Sequence, residues 1–542
     1  MRVAEFTVEQ FRGIERATLR LDATTVLIGE NDCGRSSLLE ALALALGWKA
    51  PPGEFHFEAW HFRRGAQQPI RIRVSFVESF EGEWEQAACG PLRDALPHAL
   101  LAPRGFFLEV RATPEGVSSR FATANSTVEV RDDRELLRWL NRRLPILRMG
   151  SGVVESMRSL GAAAQRPADE PASDLVERVE QHYRTLLLGN SMDPTGELEA
   201  GYQAAAELLK SSPESLDLAA SPLAHSRRAA PLLHGTAAQK IGTLLLVGAM
   251  LHGSEQEGDY GALPLMLIDD PEAHLHPMTL ASIWAILDRV SGQKVIGTHS
   301  GILLSAAPVH QLRRLTRAGG VVTEWRVPEG SLGADDLRRF SYHLRSRRGA
   351  AMFARCWLMV EGETEFWLLG ELARLCGYDF ATEGIVCVEF AQCGLAPLLR
   401  VAGHLGIEWH LLTDGDQAGE TYAGGAAQFV RRGEDELRLT MLEDRDIEHC
   451  FWRYGYANVF RQAAGKPQSA SFRPNARAII SRAIERHSKP WMAMQLLEAA
   501  APRGKGGVPP PLRQAIETCV QLARCGGRSA AECETLEGGA IS

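Results

Sequence analysis

The run VLIGENDCGRSSLLEALALAL at residues 26–46 reads as a buried strand, a glycine-flanked turn and a helix. Within it, Gly29-Glu-Asn-Asp-Cys-Gly34-Arg35-Ser36 satisfies the spacing GxxxxG[K][ST] at every position but one. A loop of that spacing wraps backbone N–H groups around phosphates at a helix N-terminus, where unpaired donors and the helix dipole favour negative charge. Gly29, Asn31, Gly34, Arg35, Ser36 and Ser37 are therefore candidate nucleotide contacts, and the Ser36 hydroxyl is placed to hold Mg²⁺. Arg35 stands where a lysine is usual. A guanidinium keeps the charge but is forked and bulkier, so the swap is not neutral at a tight site.

Outward from this loop, strand-like alternation fills residues 1–28, and 70–78, 106–111 and 127–130 continue the β pattern. Residues 134–230 turn rich in Ala, Glu, Arg and Leu at helical spacing and predict a helical insertion, a candidate dimerisation arm. The β–α pattern returns with a helix over 239–256, a strand over 263–269, a helix over 277–291 and a strand over 294–298. The first of these strands ends in Asp269-Asp270-Pro271-Glu272, and the second runs into Thr298-His299-Ser300. Asp269 is placed for the Mg²⁺ side of a nucleotide. His299 alone would be an ordinary strand-end histidine; with the phosphate loop and Asp269 in the same chain it reads as functional.

The phosphate loop, IDDPEAHLHP (268–277) and THS (298–300) together resemble the RecF/SMC-like branch of ABC ATPases. That resemblance implies ATP as the nucleotide and a homodimer or higher homo-oligomer in which one subunit caps the nucleotide of another. It places Asp270 where a Glu usually orients the attacking water, and His299 against the γ-phosphate. The capping segment would be LLHGTAAQK (232–240), in which only Gly235 and Gln239 match the usual signature. Gln67 and Gln68 are the available metal-contacting glutamines, although exposed polar residues explain such a pair as well.

The back half carries acids in three clusters: VEGETE at 360–365, TDGDQAG at 413–419 and LEDRDIEH at 442–449. Each follows an apolar run, so carboxylates are expected at the C-terminal ends of strands, where open α/β sheets place their sites. Hard divalent cations take such oxygen ligands. Asp414 and Asp416, as alternate residues of a strand, are expected to face one pocket. A Glu after one strand and DxD after another resemble the Toprim fold. With the ATPase-like front half, the chain is similar to the OLD (overcoming lysogenization defect) nucleases, in their YbjD-like branch. EFTVEQFRGI, VLIGENDCGRSSLLEAL, FARCWLMVEGETE, EFAQCGLAPLL, GIEWHLLTDGDQAG and RDIEH follow the family's order over residues 1–500. The resemblance assigns metal binding to Glu361, Glu365, Asp414 and Asp416, with Asp446 and Glu448 as the third acidic element. It also matches Lys489 to a lysine that stabilises the scissile phosphate.

The resulting expectation is an α/β protein: an ABC-type ATPase domain over 1–133 and 231–336, interrupted by the insertion, then a basic linker over 337–355. A Toprim core over 356–455, a helical part over 456–525 and a disordered tail over 526–542 complete it. The 542 residues carry a net charge of −8, which excludes a generally basic nucleic-acid coat but not a local groove. The patch best suited to DNA phosphates is Arg338, Arg339, Arg345, Arg347 and Arg348, with Phe340 and Tyr342 interleaved. Ten scattered Cys form no CxxC pair and read as reduced thiols of a cytoplasmic protein. No apolar run approaches the ~18 residues a membrane span needs. The leading expectation is an ATP-regulated, Mg²⁺- or Mn²⁺-dependent DNA endonuclease or nickase, with phage defence or DNA repair implied by resemblance only. The competing ones are a nucleotide-switched DNA-binding ATPase with little cleavage, and an enzyme acting on RNA.

Overall fold

The computed structural model describes residues 1–47, 56–101, 104–123, 129–131, 133–149, 264–272, 280, 284–289, 292–342, 349–391, 393–430, 435–465 and 475–525, with scattered positions between 177 and 204. Contacts divide the chain into two units, Met1–Arg326 and Val327–Ser542.

Unit 1 is built on one mixed sheet. Its strands are β1 (Arg2–Phe11), β2 (Ile14–Arg20), β3 (Thr24–Gly29), β4 (Ile70–Val77), β5 (Phe106–Thr113), β6 (Gly116–Ala122), β7 (Glu129–Arg131), β8 (Ile146–Met149), β9 (Leu265–Asp269), β10 (Gln293–Gly297), β11 (Leu312–Ala318) and β12 (Val321–Arg326). Their order is β7-β6-β5-β4-β1-β2-β12-β11-β3-β10-β9-β8. The half from β7 to β2 is antiparallel; β11, β3, β10, β9 and β8 run parallel. The alternation in IRIRVSFV follows from this position: every second residue of β4 is buried. β3 and β10 are buried at every residue, as central parallel strands are. Gln293 stitches the two halves together, accepting the Val3 N–H at 2.8 Å and donating to the Val3 carbonyl at 2.7 Å.

After β3 the chain turns through Gly34, at φ +95°, into α1 (Arg35–Ala45), whose apolar face packs into the sheet core. Gly29 admits no side chain: a Cβ would lie 2.6 Å from the Leu315 carbonyl oxygen and 2.7 Å from the Cys33 sulfur.

Two features of unit 1 differ from what the sequence predicts. Residues 146–149, within the expected helical insertion, form β8, which follows α2 (Arg134–Arg143) and pairs parallel to β9. Four residues are too few for a periodicity to declare itself; the sheet edge decides the conformation. The hairpin β11–β12 is an addition to the expected elements, although Gly319-Gly320 between alternating runs signals one. The described positions between 177 and 204 are almost all helical. The rest of the insertion, the 232–240 capping segment and the 239–256 helix lie outside the described residues, as do 343–348 and the 526–542 tail.

Unit 2 holds a four-stranded parallel sheet of order β14-β13-β15-β16, from β13 (Cys356–Val360), β14 (Ile385–Glu389), β15 (Glu408–Thr413) and β16 (Leu439–Met441). Helix α3 (Gly301–Ala306) belongs to unit 1; in unit 2, α4 (Ala334–Phe340) precedes the sheet. Helices α5 (Glu363–Leu375), α6 (Leu395–Leu405) and α7 (Gln417–Ala427) follow successive strands, as parallel crossovers require. Later helices include α8 (Ile447–Phe451), α9 (Ala457–Ala464), α10 (Ala476–Arg486), α11 (Lys489–Ala500) and α12 (Pro510–Cys525). α12 packs on β13 and β15, and α5 packs on α11.

The expected basic patch changes character here. Phe340 is 0% exposed and belongs to the interior, while Arg338 pairs with Asp335 of its own helix. Helical spacing turns one side of α4 inward, which places Phe340 with the core rather than among the arginines. Eight described cysteines are free and buried. No helix among the described residues is long and apolar enough to cross a membrane.

Candidate functional site

Two groups of chemically active side chains stand at strand C-termini, one in each unit. In unit 1 they lie where β3, β10 and β9 end side by side. β3 supplies the phosphate loop, β9 supplies Asp269 and Asp270, and β10 runs into Thr298 and His299. Asp269 is pushed above the usual carboxylate range by burial, against a hydrogen bond from the Ser36 hydroxyl; the neighbouring Asp270 charge adds to the rise. Ser36 and Asp269 are therefore paired, the arrangement that suits Mg²⁺ beside a nucleotide.

Arg35 does not point into the phosphate loop. Its guanidinium donates to Asp270 Oδ1 at 2.5 Å and to the Thr298 carbonyl at 2.9 Å, and its Nε lies 3.7 Å from Asp269 Oδ1. The residue is 5% exposed. Arg35 Nε and Asp269 Oδ1 are both buried without a hydrogen-bond partner. Asp270 sits at φ +48°, a left-handed conformation uncommon for a side chain. Gly297 makes room for this arrangement: a Cβ would lie 2.8 Å from Arg35 Cδ and 2.9 Å from Asp269 Oδ1. Glu272, to which the sequence alone gives no role, accepts from the Thr298 hydroxyl at 2.9 Å and from the His299 N–H. It fixes the loop that carries His299, whose imidazole pKa is lowered by burial and by Arg35. Asn31 and Asp32 are exposed in the loop, and Gln67 and Gln68 are exposed before β4.

In unit 2 the acids gather past β13, β15 and β16. Glu361 follows β13 directly. Glu365 lies in the first turn of α5 and accepts the Gly362 N–H at 3.1 Å. Asp414 follows β15. Asp416 is the N-cap of α7, accepting the Gly419 N–H at 2.9 Å. Asp446 caps α8, accepting the His449 N–H at 2.8 Å and meeting His449 Nδ1 at 2.5 Å. Glu448 is buried in α8, and Lys489 opens α11.

Electrostatics tie these separate segments into one cluster. Asp414 is raised to about 8, first by burial and then by Glu365, Glu361, Asp446 and Glu448. Glu361 is raised by burial, by Asp416 and by Glu365; Glu365 and Glu448 are raised by burial, and Lys489 opposes the shift in all three. Glu361 Oε2 and Glu448 Oε1 are buried without a hydrogen-bond partner. Among the described residues no ion pair plugs Glu361, Glu365, Asp414, Asp416 or Glu448. Among the same residues no group of three or more His, Cys, Asp or Glu side chains is arranged to hold a metal ion as it stands. The donor set is all oxygen, with orphaned buried atoms and uncompensated charge. Oxygen donors of this kind are the ones hard divalent cations take.

One expectation changes: Asp414 and Asp416 are not alternate residues of a strand, because β15 stops at Thr413. They approach the cluster through a tight turn in which Gly415 donates to the Asp444 carbonyl at 3.0 Å. A Cβ at Gly419 would overlap the Asp414 carbonyl oxygen. Gly419→Ala is therefore expected to lower stability by about 1–3 kcal/mol, read as a lower urea midpoint, and to displace Asp414. His449 holds Asp446. An Asp three residues before a His at a helix start is the signal that could have shown it.

A family model described as a protein of unknown function, DUF2813, matches residues 1–351. One described as overcoming lysogenization defect protein-like, TOPRIM domain, matches residues 352–416. The chain is 34% identical to YbjD of Escherichia coli (strain K12) over 95% of its own length and 98% of that protein. Among solved structures, it aligns with the SMC head domain from Thermotoga maritima at 13% identity and a TM-score of 0.32, covering 60% of this chain and 99% of that one. It aligns with the C-terminal region of the Burkholderia pseudomallei OLD protein at 21% identity and a TM-score of 0.27, covering 32% and 99%.

Proposed function

Because the chain belongs to the DUF2813 family and joins it to an OLD-like Toprim domain, in the YbjD-like branch of the OLD proteins, we propose that it is an ATP-regulated, divalent-metal-dependent DNA endonuclease or nickase. The observation that carries the reading is the gathering of Glu361, Glu365, Asp414, Asp416, Asp446 and Glu448 at one end of the unit 2 sheet, with orphaned carboxylate oxygens among them. A divalent ion bound there activates water and stabilises the leaving oxygen of a phosphodiester. The protein's own groups do the rest. Glu361, Asp414 and Asp416 present oxygens from two neighbouring strand ends. Asp446 is held in place by His449, and Lys489 offers positive charge to the backbone being cut. In this scheme a homodimer of unit 1 binds ATP through Gly29, Asn31, Gly34, Ser36 and Ser37, with Asp269 beside the metal. DNA is engaged mainly through its phosphates.

Supercoiled plasmid tests the reading. Purified protein with Mg²⁺ or Mn²⁺ is expected to convert it to the nicked form, and EDTA to stop the conversion. A preparation that binds ATP yet never nicks would leave the nucleotide switch as the better account. The ion pair of Arg35 with Asp270 favours that second reading in part, since it occupies the residue needed to orient water for ATP hydrolysis.

A further inference from the structure

Beside the acid cluster, the start of α11 carries a feature that neither metal binding nor ATP binding uses. The His487 and Trp491 rings lie parallel, with centroids 3.9 Å apart and planes 13° from coplanar. The His487 ring is anchored, its Nε2 lying 3.2 Å from the Ala463 carbonyl oxygen, and the backbone N–H of Trp491 donates to the Ser488 hydroxyl at 3.2 Å. Trp491 is nonetheless 38% exposed, and His487 is exposed. Burial does not account for a rigid indole held at the surface, because its apolar area remains in water.

The other exposed tryptophan with a stacked histidine is different. Trp60 has His61 at 3.7 Å and the Arg12 guanidinium at 4.4 Å, so both its neighbours are supplied by the protein. Among the described residues His487 is the one ring partner of Trp491. Two exposed cations lie close by along the chain: Arg486, which precedes the pair and donates to the Ala464 carbonyl at 3.4 Å, and Lys489, which lies between its two members. Lys489 is also the cation that acts on Glu361, Glu365 and Glu448. A flat π-surface with Lys489 within the same turn, next to a cluster of carboxylates, matches a nucleobase whose adjoining phosphate lies on that cation. A base within an intact duplex is already stacked on its neighbours and cannot use it.

We propose that His487 and Trp491 form a stacking platform for an unpaired base, so that the unit 2 site takes strands with single-stranded character in preference to continuous duplex. This rests on the nuclease reading for its role in cutting, but the binding it describes is measurable without cutting.

The experiment uses the full-length protein with Ca²⁺, and short DNA and RNA strands carrying one 2-aminopurine, each single-stranded or annealed to its complement. Wild-type protein is expected to quench 2-aminopurine in a single strand. Trp491→Ala is expected to bind that strand about 5- to 100-fold more weakly while its duplex binding stays within about twofold. Trp491→Phe is expected to recover most of the loss, and His487→Ala to lose part of it. Trp491 is a surface residue, and the unchanged duplex binding doubles as the check on folding. Dependence on Trp491 for either type of single strand supports the platform. Equal loss on single strand and duplex, no loss at all, or a Trp491→Phe variant as weak as Trp491→Ala overturns it. Plasmid nicking run in parallel separates the two ideas. Nicking with no Trp491 effect removes the platform alone; a Trp491-dependent single strand with no nicking removes the nuclease reading alone.

Discussion

Asp414→Asn is expected to abolish metal-dependent nicking and, at the same time, to make the metal-free protein more stable. The two effects have one cause. Asp414 titrates near 8 in the folded chain because it is buried and faced by Glu365, Glu361, Asp446 and Glu448. Its ordinary value is 3.8. A carboxyl whose pKa is higher folded than unfolded binds its proton more tightly in the folded state. The folded state is then penalised as pH rises above about 4, and the penalty is complete only above about 8. A tenfold difference in proton affinity between the two states corresponds to about 1.4 kcal/mol, so near pH 7.5 the penalty is on the order of a few kcal/mol. An Asn of the same shape carries no charge and escapes it. In EDTA, the melting temperature of wild type is expected to fall between pH 5 and pH 8 while Asp414→Asn stays flatter and melts several degrees higher at the top of that range. Mg²⁺ is expected to raise the wild-type midpoint and to do little for the variant, since a ligand stabilises only the state that binds it. Nicking is expected to fall by about 100-fold or more, the scale of losing a charge-stabilising metal contact. A variant that melts lower in EDTA and still nicks would remove Asp414 from the site.

How much of this was legible in the sequence follows from the range of the interactions. The phosphate loop and the strand-end acids could be read because each is local: a few residues declare a strand, and the next few declare what stands at its end. The alternation of β4 and the unbroken apolar run of β13 likewise report only whether one or both faces are covered. What could not be read depends on partners far along the chain. The place of Arg35 in the loop predicts a contact with phosphate, but its direction is set by Asp270, 235 residues away. The alternation predicts that Asp416 shares a strand face with Asp414. It instead caps a helix, because β15 ends at Thr413, three residues short of it. Phe340 stands among arginines in the sequence, yet the helix carrying it turns that one position into the core. The role of His449 is a short-range one, and the reason it escapes notice is chemical: a histidine beside apolar residues is usually a packed one.

Arg35→Lys is the substitution expected to change ATP turnover most, and to change it upward. Before the guanidinium can serve a phosphate it must leave Asp270, Asp269 and the Thr298 carbonyl. A hydrogen bond to a charged group contributes about 1.5–3 kcal/mol, so nucleotide binding has to offset at least one such loss. While the contact lasts, Asp270 cannot orient water. Lysine is a point cation that cannot bridge two acids and a carbonyl in the same way. It is expected to free Asp270, to reach back over the loop toward the phosphates, and to raise the rate of phosphate release by about tenfold or more, a gain of about 1.4 kcal/mol in the barrier. Gly297→Ala provides the complementary measurement. Its Cβ would press on Arg35 and Asp269 together, so it is expected to weaken nucleotide binding in the wild-type background. A wild-type protein that turns ATP over briskly, and loses that rate in Arg35→Lys, would mean the opposite: that the guanidinium travels to the phosphates during turnover and that its ion pair with Asp270 is a resting position of a working catalytic group.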